Sequence, residues 1–225
     1  MSEIDRRILT AVFVVGLVAT IAGAGLYAYF SDTETSTGNI FTAGTMDLKL
    51  SHSGTDSWND GVTATWTLSD MKPGDETPLA SVFFKNFGSV ASSTMEITCD
   101  YSVDEEANPV ESDTDLNTDE HPDEMAKYMV ITWMKYRNNE VDINCLTGEN
   151  DGYPSNEDWK ISDVDGDGRI TLYDLKMDPL VNLPSPDTQT NGITQLDMRI
   201  RFDEAAGNDF QGDIFDLTMI FTLKQ

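Results

Sequence analysis

Leu196-Asp-Met-Arg-Ile-Arg-Phe202 places an apolar residue at every second position and a charged one at each position between. That period of two belongs to a strand with one buried and one wet face. The pattern recurs at Phe215, Leu217, Met219, Phe221 and Leu223, and at Met46, Leu48 and Leu50. Ala64, Trp66 and Leu68 share a face in the same way, and Met95–Val103 also alternates. Lys72-Pro-Gly-Asp75 reads as a tight turn between strands at 63–69 and 79–85, because Pro presets φ and Gly supplies a positive one. Several such strands around turns predict an all-β antiparallel sandwich.

Two stretches interrupt the alternation. Asp104–Glu124 holds eight acidic residues between its end residues, together with Pro109 and Pro122, and little that is apolar, so it reads as an exposed insertion. Met125–Tyr136 then predicts a short helical turn leading into a buried strand. The second interruption, a loop-rich insertion over 149–190, carries a site motif. No internal repeat is evident.

The chain is acidic, with 14 Lys and Arg against 40 Asp and Glu and a formal net charge of −26. That sign excludes nucleic acid as a partner, since phosphate binding needs the opposite one. Arg6 and Arg7 precede a run from Ile8 to Phe30 without a charge, and Ala28 offers the small residue a signal peptidase requires. The expected organisation is a signal peptide over 1–28, an arm over 29–41 and a β domain over 42–225. The run is also long enough to stay in a bilayer as an anchor. Both readings place the remainder outside the cytoplasm, and contact with the membrane is expected only through the uncleaved precursor.

Cys99 and Cys145 each fall on the apolar face of an alternating segment. An extracellular pair permits a disulfide, and two separately buried thiols fit equally. Asp163-Val-Asp-Gly-Asp-Gly-Arg-Ile-Thr-Leu-Tyr-Asp174 has the spacing of a calcium loop. Asp163, Asp165 and Asp167 supply hard oxygens at positions 1, 3 and 5, and Gly168 permits the sharp turn at 6. The Arg169 carbonyl occupies position 7, Thr171 position 9, and Asp174 closes the shell at 12. Asp in place of a final Glu makes the loop resemble that of dockerins, although no second copy is present to support docking. Ca2+ is the expected cofactor, with a structural role. No catalytic residues are identified. His52 and His121 are far apart in sequence, neither belongs to His-Glu-x-x-His, and there is no Gly-x-Ser-x-Gly. The sequence therefore predicts a protein that is not an enzyme.

Tyr29–Leu50 closely resembles the start of the TasA/camelysin family. Leu68–Glu76 with its Lys-Pro-Gly-Asp turn, Phe83–Ser89, Gln195–Asp203 and the stretch from Phe210 onward resemble later parts of it in order and spacing. The resemblance implies a jelly-roll-like sandwich and a secreted subunit that polymerises head to tail into extracellular fibres of a cell-surface or biofilm matrix. In that assembly mode the freed N-terminal segment inserts into a neighbour as a donor strand. Thr33, Thr35 and Thr37 are β-branched and suit such an arm, and Tyr29 and Phe30 suit its terminal anchor. A homopolymer is then the partner, with signal peptidase acting during export. Two alternatives stay open: a membrane-anchored, calcium-stabilised adhesin or binding module, and a camelysin-like metallopeptidase.

Overall fold

The computed structural model describes residues 32–35, 46–55, 57–63, 65–67, 71–105, 118–151, 155–186, 193–207, 210 and 213–225. The strands are β1 (Asp32–Thr35), β2 (Leu48–Ser51), β3 (Ala80–Asn86), β4 (Thr94–Glu105) and β5 (Met129–Arg137). They continue with β6 (Asp142–Asn144), β7 (Glu149–Asn150), β8 (Leu180–Pro184), β9 (Thr194–Phe202) and β10 (Asp213–Lys224). Two short helices, α1 (Pro122–Ala126) and α2 (Leu172–Met177), interrupt them. The strands form a four-stranded sheet, β1-β10-β4-β8, and a six-stranded sheet, β2-β3-β9-β5-β6-β7. Every named pairing is antiparallel.

The expected sandwich is what forms. The inward residues of the four central strands bury almost completely: Val82 and Phe84 from β3, Met95, Ile97 and Cys99 from β4, Leu196, Met198 and Ile200 from β9, Met219, Phe221 and Leu223 from β10. Phe84 and Phe221 meet between the sheets with ring centroids 4.5 Å apart. A tilted pair of this kind contributes about 1 kcal/mol beyond its buried area. Tyr136 is also fully buried, and its hydroxyl donates to the Pro184 carbonyl, which satisfies the one polar atom it carries inward.

The Lys72–Asp75 turn closes as its sequence requires. Asp75 N–H donates to the Lys72 carbonyl at 2.9 Å, and Gly74 has φ +94°. The strand expected at 63–69 does not form among its described residues. Instead residues 74–77 run along β9: Gly74 N–H bonds the Phe202 carbonyl, Phe202 N–H bonds that of Asp75, and Thr77 N–H bonds that of Ile200. Trp66 is fixed by its indole N–H on the Met198 carbonyl, 2.8 Å away. The alternation of Trp66 thus reflects a side chain seated on β9 and not a ladder. The insertion over 149–190 also departs from a pure loop, because it supplies β8, which pairs with β4 and forms one margin of the four-stranded sheet. Cys99 on β4 and Cys145 after β6 are both buried and unbridged in this structure.

Candidate functional site: an acidic loop and a strand-forming arm

The loop from Asp163 is held in shape by its own first carboxylate. Asp163 accepts from the N–H groups of Gly166 (2.8 Å), Asp167 (3.1 Å) and Gly168 (2.9 Å). Gly166 and Gly168 have φ of +75° and +85°, which only glycine adopts without strain. Ile170 docks the loop onto the body, its carbonyl accepting from Ile131 N–H on β5 at 2.8 Å. Thr171 caps α2 in a capping box with Asp174: the Thr171 hydroxyl accepts from Asp174 N–H, and the Asp174 carboxylate accepts from Thr171 N–H at 2.8 Å. Leu172 and Leu175 on α2 then bury in the core.

This folding brings together three of the six expected ligand residues. Carboxylate oxygens of Asp163, Asp165 and Asp174 lie within 4.8 Å of one another. Asp165 is held above the usual carboxyl range, by desolvation first and by the nearby charges of Asp167, Asp174 and Asp163 after it. Asp167 does not join them. Its carboxylate accepts from Nε of Arg169 at 2.7 Å and from the same guanidinium's terminal nitrogen. Desolvation works against ionisation of Asp167, but these bonds and the Arg169 charge prevail and hold it below the usual range. The Thr171 hydroxyl donates to Asp174 at 2.7 Å. Sequence reasoning missed what surrounds Arg169, whose guanidinium stacks over the Tyr128 ring at 4.9 Å and reaches Asp203 at 3.6 Å. No local pattern announces contacts of that kind, since they join residues far apart in the chain.

The donor set at this loop is carboxylate oxygen throughout, which suits a hard cation such as calcium. A peptidase metal of the histidine type finds no such fit. His52 and His121 are both exposed, and among the described residues the one metal-capable group of three contains neither. No catalytic step is derived from these residues.

The arm is the second candidate. β1 pairs antiparallel with β10 along Asp32↔Leu223, Thr33↔Thr222, Glu34↔Phe221 and Thr35↔Ile220. Thr33 and Thr35 therefore lie in a strand at the margin of the four-stranded sheet. Tyr29, Phe30 and Thr37, like the apolar run at 8–30, lie outside the described residues. Among the described residues no helix is long and apolar enough to cross a membrane.

Comparison with known proteins gives one family. The model described as camelysin metallo-endopeptidase matches residues 3–225. No curated protein matches the chain. The expectation that the chain is not an enzyme is corrected by this result, because the family's description points to a peptidase. Proteins of this family, which includes TasA, are extracellular or associated with the cell surface. With 223 of its 225 residues spanned by one family model (3 to 225), the chain belongs to the camelysin metallo-endopeptidase family.

Proposed function

We propose that this camelysin-family protein is a secreted structural subunit that polymerises by donor-strand complementation into fibres of a cell-surface or biofilm matrix. The observation carrying this reading is the backbone pairing of Asp32–Thr35 with Ile220–Leu223. Asp32–Thr35 of the arm already has strand geometry, and the edge of β10 already accepts it. A neighbour's arm of identical sequence offers the same backbone donors and acceptors, so the same edge suits an intermolecular strand. Such a contact is head-to-tail and does not close, which generates a filament. Ca2+ bound by Asp163, Asp165 and Asp174, with Asp167 joining on release from Arg169, would brace the loop between β5 and α2.

Deleting Tyr29–Asn39 tests the assembly. The remaining strands retain the core, so the truncated protein should stay folded and monomeric while the mature protein forms filaments visible by electron microscopy. Filaments of normal length from the truncated protein would overturn the reading. For the loop, the double variant Asp163→Ala/Asp167→Ala should lose the rise in Tm that calcium gives the parent protein. A full rise in the variant removes the loop assignment.

The family's description favours a second reading, peptidase activity. Hydrolysis of unfolded casein by the purified mature protein, abolished by a chelator and restored by a metal ion, would support it.

A further inference from the structure

Among the described residues the two sheets have four margins: β1 and β8 on the four-stranded sheet, β2 and β7 on the six-stranded one. A bare margin presents a row of unpaired backbone groups and invites pairing with another chain. Three of these margins carry a closure built from the subunit's own residues. At β2, Leu50 N–H bonds the Asn59 carbonyl at 2.8 Å, and Asn59 N–H returns the bond to Leu50 at 2.9 Å. Lys49 on the same strand pairs with Asp60. β7 is only Glu149–Asn150, and the Gly148 carbonyl just before it accepts from Asn156 N–H at 3.1 Å. The margin at β1 differs, because the strand that covers β10 there is the arm itself.

The closure of β8 centres on Asn182. Between the pairs Met95↔Leu183 and Ile97↔Leu180, Glu96 alone on β4 faces both Val181 and Asn182, a bulge of two residues against one. Asn182 lies in that bulge with φ +54°, a left-handed conformation that only its surroundings make stable in a strand. Residues 158 and 159 supply those surroundings. The Trp159 indole N–H donates to the Asn182 carbonyl at 2.9 Å, and the Asn182 amide donates to the Asp158 carboxylate at 2.9 Å. Pro184 ends the strand without an N–H to offer. The same short segment is anchored on the other sheet's side. Ile161 N–H donates to the Cys145 carbonyl at 2.9 Å, and the Ile161 side chain is buried completely. Residues 156–161 thus clasp one margin of each sheet.

We propose that Trp159 and the left-handed Asn182 close β8 to strand addition, which leaves the arm's margin on β10 as the place where a second copy of the chain joins. Entry of that copy by its arm rests on the donor-strand reading, whereas the closure of β8 does not. An added strand needs outward carbonyl and N–H groups at regular spacing along the edge it meets. The bulge breaks that spacing, and the left-handed residue turns a peptide away from the ladder. The indole then occupies the carbonyl that was turned. A subunit with one arm and one accepting margin grows head to tail in a single line. A second accepting margin would add a branch point to every subunit.

The test opens β8. Asn182→Val/Trp159→Phe removes the side-chain amide and the indole donor, and places at 182 a β-branched residue that resists positive φ. Asn182→Gly is the matched control, because glycine keeps the left-handed backbone and with it the acceptor for the indole. Val82→Ala, a cavity in the other sheet, lowers Tm without touching β8. Sedimentation velocity over a dilution series compares these proteins with the parent. The Val/Phe variant should self-associate about tenfold or more tightly than the parent, as two or three added backbone hydrogen bonds would give. Asn182→Gly and Val82→Ala should stay at the parent level. If the Val/Phe variant does not fold, Trp159→Phe alone carries the test, with a smaller rise expected. Where filaments form, branches seen by electron microscopy report β8 and filament length reports the arm, so failure of one reading leaves the other measurable. Parent-level association of the opened variant, or equal association of Asn182→Gly or Val82→Ala, would overturn the proposal.

Discussion

Asp174 has no exposed surface, yet every polar demand on it is met inside the loop. Its carboxylate accepts from Val164 N–H at 2.9 Å as well as from the Thr171 backbone and hydroxyl. Asp174→Ala strips half of the capping box and leaves the buried Thr171 N–H and the part-buried Val164 N–H without their acceptor. A loss of about 2–4 kcal/mol is expected from those two causes together. Urea unfolding in chelator-treated buffer measures it without any metal contribution, and an unchanged midpoint would show that the cap is dispensable. The two cysteines set a chemical test at the same scale. Desolvation pushes the Cys99 thiol up to about 12, with Lys176 lowering it in part, and burial pushes Cys145 up to about 12 as well. The reactive thiolate is therefore scarce at neutral pH. Ellman's reagent should find no thiol in the native protein and two after unfolding in guanidinium. Prompt native labelling would mean that the sandwich opens readily at β4 or β6.

The turns between elements differ in what they tolerate. Gly74 has φ +94°, and a Cβ there would meet the Glu204 side chain no closer than 3.4 Å. Gly148 has φ +72°, and a Cβ there would lie 2.8 Å from the Asn156 carbonyl oxygen, which is backbone and cannot swing away. Gly74→Ala should cost about 1 kcal/mol of backbone strain alone. Gly148→Ala adds displacement of the β7 approach and should lower Tm distinctly more, a ranking that differential scanning calorimetry checks. Legibility in the sequence followed the same local logic. β9, β10 and the Lys72–Asp75 turn were readable because alternation and Pro-Gly act within a few residues. Trp66 was misread because its partner, the Met198 carbonyl, lies 132 positions away. β8 was hidden for a similar cause: Leu180–Pro184 becomes a strand only by pairing with β4. At the loop, spacing pointed to the three carboxylates that the fold gathers, Asp163, Asp165 and Asp174, but it could not show that Arg169 would hold Asp167 away from them.

A charge of −26 acts on the molecule as a whole. Forty acidic residues face fourteen basic ones, so most carboxylates have no cation to pair with, and their mutual repulsion is relieved when the chain expands. The attractive pairs work differently. Lys135–Asp142 and Arg199–Glu76 sit at contact distance on partly buried side chains, where salt screens them less. Raising sodium chloride from about 10 mM to about 150 mM shortens the Debye length from roughly 30 Å to roughly 8 Å. The repulsion, which spans the whole sandwich, then weakens more than the pairs do, and Tm should rise. The measurement needs a chelator, so that divalent cations at the acidic loop do not mimic screening. It also needs protein dilute enough to stay monomeric, because association would stabilise the fold by mass action. A Tm that falls over this range would mean that the contact pairs outweigh the surplus. The acidity would then have to be explained by local sites and not by the surface as a whole.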